Sequence, residues 1–167
     1  MNKLLVAGIG NVFLGDDGFG VEVVRRLSAR PLPEDVEVAD YGIRGFDLAY
    51  ALMDEYRAAV LVDALPHGCE PGSLALMEPD FDSLDAPGVI EGHGMNPVEV
   101  LRLVKQLGGR PPRLFLVGCE PETFGPEEEG MMGLSAPVEA AVDEAVSMVE
   151  SLVRQLHQDE ARKQVNS

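Results

Sequence analysis

The sequence predicts an α/β domain of three layers, with a mostly parallel, twisted sheet of about five strands held between helices. Three observations predict it. Short apolar runs stop abruptly at Gly or Asp, namely KLLVAGI at 3–9, AAVLVD at 58–63 and RLFLVG at 113–118. Such continuous runs are the mark of strands buried on both faces. Segments with helical spacing lie between them, so the strands are joined by crossovers and run parallel. The length, 167 residues, suits one domain, expected over 1–158 with a polar, frayed tail at 159–167.

The elements follow in order. Strand one is 3–9. Phe19, Val23, Val24 and Leu27 then recur on one helical face, with Asp16 or Asp17 placed to cap that helix. Val36, Val38 and Ala39 lead into Asp40 as strand two. Residues 46–55 read as a helix, with Leu48, Leu52 and Tyr56 on one side. Strand three is 58–63, and a short fourth strand at 73–77 follows Pro71-Gly72. A loop rich in Asp, Pro and Gly fills 79–94. Residues 96–107 form a helix capped by Asn96, with Pro97 in its first position. Strand five is 113–118, and a second long loop occupies 120–134. A final helix runs from 135 to about 157, with Ser135 as its cap and Pro137 in its first turn.

Composition narrows the function. Thirteen Lys and Arg against 29 Asp and Glu give a net charge of −16, which opposes nucleic acid and anionic membranes as partners. Nine of those carboxylates fall between 114 and 153, where there is no Lys or Arg. That stretch is either a solvated face or a surface that steers a basic partner. No apolar run approaches the ~20 residues that cross a bilayer. The opening MNKLLVAGIGN lacks a cleavage site, so the expected location is cytoplasmic. The two cysteines, Cys69 and Cys119, have no CxxC partner, so a zinc knuckle is not expected and both read as unpaired thiols.

In a parallel sheet the functional cleft lies beyond the carboxyl ends of the strands. The residues there are Gly8 to Asn11, Asp40, Asp63 and Gly118-Cys119. Gly8-Ile9-Gly10 is not a dinucleotide loop, because Phe13 stands where a third small residue is needed. Asp16 and Asp17 would also repel a pyrophosphate at the helix start. Only one of the two acids is needed as a cap. Asp16 is expected to cap or pack, leaving Asp17 to face the cleft. Asp63, after five apolar residues, is either a rim acid or one of a paired set. His93 is flanked by glycines that let backbone approach a ligand, whereas His67 and His157 read as surface residues. Together Asp17, Asp63 and His93 offer a mixed oxygen and nitrogen set suited to a divalent first-row metal such as nickel or zinc. No serine has the GxSxG context of a nucleophile elbow.

The order of these pieces resembles a known family. Gly8-Ile9-Gly10-Asn11, followed by Gly15-Asp16-Asp17-Gly18-Phe19-Gly20-Val21, is similar to the opening of the hydrogenase maturation proteases. The likeness continues through Asp40-Tyr41-Gly42-Ile43-Arg44-Gly45, Val62-Asp63-Ala64, Gly72-Ser73-Leu74, His93-Gly94 and Leu116-Val117-Gly118. It extends over Glu120-Pro121-Glu122 and ends at Gly133-Leu134-Ser135-Ala136-Pro137-Val138. Ile43 departs from the family, which commonly has Thr there.

The resemblance implies an aspartate- and metal-dependent endopeptidase that removes the C-terminal extension of a nickel-iron hydrogenase large-subunit precursor. Asp17, Asp63 and His93 match the metal-contacting residues. The segment holding Asp40, Gly42 and Gly45 matches one that reads substrate. The nickel is expected to arrive in the substrate, with no organic cofactor, and the protease is expected to be a monomer or weak oligomer. Two rivals stand beside this. A nickel chaperone with the same trio would bind metal tightly and cut nothing. A peptidyl-tRNA hydrolase shares the first turn but needs an early histidine and a basic surface, and the first histidine here is His67.

Overall fold

The computed structural model describes residues 3–54, 56–84, 96–126 and 128–166. The strands are β1 (Lys3–Ile9), β2 (Val36–Gly42), β3 (Tyr56–Ala64), β4 (Leu74–Met77) and β5 (Arg113–Cys119). The helices are α1 (Phe19–Ser28), α2 (Gly45–Leu52), α3 (Pro97–Gln106) and α4 (Ala136–Val165), with 3-10 turns at Gly15–Gly18 and Phe81–Ser83. The sheet order is β2-β1-β3-β5-β4. The first four are parallel, and β4 joins the edge antiparallel to β5.

Alternation along each strand decides which layer a residue enters. Leu4 and Val6 of β1, Val60 and Val62 of β3 and Val117 of β5 pack with α1 and α4. Leu5, Ala7, Leu61 and Leu116 face the other way, onto α2 and α3. Asp63 shares the parity of Leu61 and continues the α2/α3 side of β3.

The chain leaves β1 for β2 on one side and returns to β3 on the other. The order therefore reverses between β1 and β3, which makes their carboxyl ends the switch point of the sheet. At that point α1 sits on backbone: a Cβ at Gly20 would lie 2.0 Å from the Val62 carbonyl oxygen and 2.6 Å from that of Ile9. Only glycine permits that approach.

Several boundaries differ from the sequence reading. Tyr56 opens β3 instead of closing a helix, and α2 stops at Leu52. Neither Asp16 nor Asp17 caps α1, whose N-cap is Gly18 with no side-chain bond. Ser135 stands at the N-cap of α4, but its side chain makes no capping bond. Asn96 does cap α3, accepting from the Glu99 N–H at 3.0 Å. The last helix runs on to Val165, through the segment read as a frayed tail. Among the described residues no helix is long and apolar enough to cross a membrane.

Candidate active site

The turn after β1 brings a carboxylate to the switch point. Gly10 takes φ +137°, and its N–H donates to the Gly42 carbonyl at 2.9 Å, tying the turn to the end of β2. The Asn11 side chain closes an Asx turn by accepting from the Phe13 N–H at 2.9 Å. The Asn11 N–H donates to Asp17 Oδ2 at 2.7 Å, which aims that side chain back over the turn.

Asp63 comes from β3. It is 1% exposed, and its Oδ1 accepts from the Ala64 N–H at 2.8 Å. Gly10 runs between the two acids. A Cβ there would lie 1.8 Å from the Asp17 carbonyl oxygen and 3.4 Å from Asp63 Oδ1. Burial pushes the Asp63 carboxyl well above its ordinary value, and the charge on Asp17 pushes it further, against the Ala64 N–H. Asp17 is also raised by burial, partly offset by the Asn11 N–H. Two crowded acids that both resist ionisation suit a site where a cation or a mobile proton compensates them.

Asp16 does something else. It is fully buried and turned toward the N-terminus of α4. Its Oδ2 accepts from the N–H groups of Glu122 and Thr123 at 2.8 and 3.0 Å and from the Ser135 hydroxyl at 2.8 Å. Its Oδ1 accepts from the Ser135 N–H at 2.7 Å. Burial raises this carboxyl, but the four donors outweigh burial and hold it below its ordinary value. Asp16 is thus a fixed anion, and Asp17 and Asp63 form the responsive pair.

The sequence-expected residues divide accordingly. Asp17 and Asp63 converge. His93 lies outside the described residues, and among those described no three His, Cys, Asp or Glu side chains form a metal-holding group. Asp40 is exposed at the end of β2, opposite Gly8, with its carbonyl accepting from the Arg44 guanidinium at 2.5 Å. Gly42 takes φ +52°, and Gly45 opens α2. Ile43 is 59% exposed beside them.

The thiols divide as read, with Cys69 exposed, Cys119 buried and both free. Burial and the charges of Asp16 and Glu120 push the Cys119 thiol up to about 12, so it stays protonated and unreactive at neutral pH. His67 is less superficial than its turn suggested. Its Nδ1 lies 2.8 Å from the Leu65 carbonyl oxygen and 3.1 Å from Glu120 Oε2. The sequence reading missed Asn11 as the orienting donor and Ser135 as a partner of Asp16. Both stand inside motif segments singled out above, the G-x-G-N turn and the stretch before α4.

Comparison with known proteins points one way. The hydrogenase maturation protease family HycI matches residues 21–152, a span that includes Asp63 and begins after Asp17. The hydrogenase expression/formation protein HupD of Rhizobium leguminosarum bv. viciae is 30% identical, over 91% of this chain and 74% of its own. The hydrogenase 2 maturation protease of Escherichia coli K12 is 28% identical, over 92% of each. The solved structure of the hydrogenase maturating endopeptidase HybD from E. coli superposes with a TM-score of 0.73 at 28% identity, over 92% of this chain and 93% of that one.

Proposed function

The chain belongs to the hydrogenase maturation proteases, and we propose that it is the endopeptidase that removes the C-terminal extension from a nickel-loaded nickel-iron hydrogenase large-subunit precursor. The observation that carries this reading is the approach of Asp17 to the buried Asp63 at the switch point between β1 and β3, near enough for its charge to act on the Asp63 carboxyl. The names of the relatives supply the class of client.

The nickel is part of the substrate, held by the precursor near the bond to be cut. Two carboxylates whose ionisation is opposed by burial, and for Asp63 by the charge of Asp17 as well, gain most from a divalent cation set between them. His93 is the third donor of the proposed set, on the strength of its motif alone. Bound nickel supplies Lewis-acid polarisation of the scissile carbonyl or of an attacking water. The acid that does not ligate accepts the proton of that water and returns it to the leaving amine. Asn11 holds Asp17 in position for either role.

Asp40, Gly42 and Gly45 are proposed to read the client. They lie on the segment joined to the first turn through the Gly10 to Gly42 bond. The proposed setting is cytoplasmic.

The test is mass spectrometry of the nickel-loaded and nickel-free precursor after incubation with the protein and with its Asp17→Asn and Asp63→Asn forms. Loss of a C-terminal peptide is expected only from the nickel-loaded client and only with the unmodified protein. Each substitution is expected to slow cutting on the order of 10²–10⁴-fold. Wild-type rates in both variants would remove the pair from the chemistry. Tight nickel binding with no cutting would favour a nickel carrier.

A further inference from the structure

Asp16 lies next to a proposed catalytic acid, yet its carboxylate faces away from the pair. It reaches across 106 residues of sequence to Glu122 and 119 to Ser135, holding the 120–135 loop at both ends. Main-chain bonds complete the seam. The Asp16 N–H donates to the Thr123 carbonyl at 3.0 Å, Gly15 N–H to Met131 O at 2.7 Å and Met131 N–H to Phe13 O at 2.8 Å. Leu14 and Met131 form a parallel bridge there.

The joined segments share an unusual surface. Phe13 is 64% exposed, Met132 68% and Phe124 42%, with Val12 beside Phe13 at 37%. Large apolar side chains exposed from two segments stitched together, one of them the turn whose Asn11 holds Asp17, suit contact with a partner chain. The means of stitching matters too. All four donors to Asp16 are neutral, so a buried anion is held without a counter-charge. Four donors converging on one carboxylate offset its burial and fix the segments that carry them at a single geometry.

We propose that Asp16 is a positioning residue, whose carboxylate fixes the 120–135 loop against the first turn so that Phe13, Phe124 and Met132 form a rigid apolar wall receiving the client segment beside Asp17. This rests on the endopeptidase reading. The occupant is an apolar stretch of the precursor next to its scissile bond, because Phe13 stands on the same turn as Asn11, whose N–H holds Asp17. Asp17 keeps its own support from Asn11, so loosening the wall weakens client capture more than the chemical step.

The experiment measures cleavage of the nickel-loaded precursor by the wild type, Asp16→Asn, Ser135→Ala, Phe124→Ala and the Ser135→Ala/Phe124→Ala double variant. Wild-type cutting tests the endopeptidase reading by itself, separately from the wall. The Asn amide presents N–H groups to the backbone donors of Glu122 and Thr123. Asp16→Asn is therefore expected to raise KM about tenfold or more with kcat within about threefold, together with faster limited proteolysis inside 120–135. Ser135→Ala removes one donor and is expected to move KM the same way by less, which keeps the test alive if Asp16→Asn does not fold. Phe124→Ala is expected to cost less in the Ser135→Ala background than alone, because a loosened wall has less to lose. Three results would overturn the proposal: a lowered Tm with KM unchanged, a fall in kcat with KM unchanged, or additive effects of Ser135→Ala and Phe124→Ala.

Discussion

Two neighbouring aspartates, alike in sequence, end in opposite electrostatic states. Asp16 meets four donors and stays charged, while Asp17 is raised by burial against one donor, and its charge in turn raises the buried Asp63, which also has one donor. Asp63 therefore opposes folding when ionised. An acid with a raised folded value contributes stability when protonated, and that contribution is lost as pH rises through the raised value. Asp63→Asn is accordingly expected to stabilise the protein at pH 8 by about 1–2 kcal/mol, the size common for relief of a functional strain. For a chain of this length that is a Tm gain of about 2–8 °C. The gain should shrink as pH falls from 8 to 5, the direction in which protonation of wild-type Asp63 removes the same charge. Paired thermal melts at the two pH values check this, and a destabilised Asn variant at pH 8 would contradict the electrostatic account. Sequence alone separated Asp16 from Asp17 in role, and of its two readings of Asp16, capping or packing, the structure has the packed one. The partners that define it are on a loop more than a hundred residues away, and no local pattern encodes them.

Among the elements, what was legible was local. Asn96 with Pro97 announces α3 because cap and first turn are a few residues apart. The α2/β3 boundary was misplaced because Tyr56 satisfies the helical period of Leu48 and Leu52 as readily as the strand that it opens. The last turns of α4 were missed because 159–165 is a run of Asp, Glu, Ala, Arg, Lys and Gln ending in Val, good helix formers in the main that give no apolar stripe. The seat of α1 was also hidden, since Gly20 is one of 18 glycines and only the structure shows the carbonyls beneath it. Gly20→Ala places a methyl 2.0 Å from the Val62 carbonyl oxygen, so α1 must lift. The expected cost is about 1–3 kcal/mol or more. Because α1 follows directly from the turn that carries Asp17, client cleavage should fall further than the folded fraction does. Urea titration beside an activity assay separates the two, and activity that tracks the folded fraction alone would mean that Asp17 does not depend on where α1 sits.

At the scale of the molecule the layered sheet and the strand ends where Asp17 and Asp63 lie were readable, because apolar runs and crossovers fix the topology and the ends of the strands. The large negative charge was readable too, and it has a consequence for stability. Described ion pairs such as those of Arg26 with Glu22, Glu139 and Asp143 bind close-range partners, and surface pairs of this kind contribute at most about 1 kcal/mol each. Against them stands a net charge of −16. Lowering the Debye length from about 30 Å at 0.01 M salt to about 8 Å at 0.15 M screens repulsions between distant carboxylates more than pairs in contact. Self-repulsion of a highly charged chain opposes the compact state, so screening it favours folding. Tm at pH 8 is expected to rise by several degrees between 0.01 and 0.15 M sodium chloride. The rise should be smaller at pH 5, where partial protonation of carboxylates lowers the charge. Calorimetry at the four conditions decides it. A Tm that falls with salt at pH 8 would mean that the ion pairs outweigh the long-range repulsion, and that the acidity of the chain is locally compensated rather than carried as a cost.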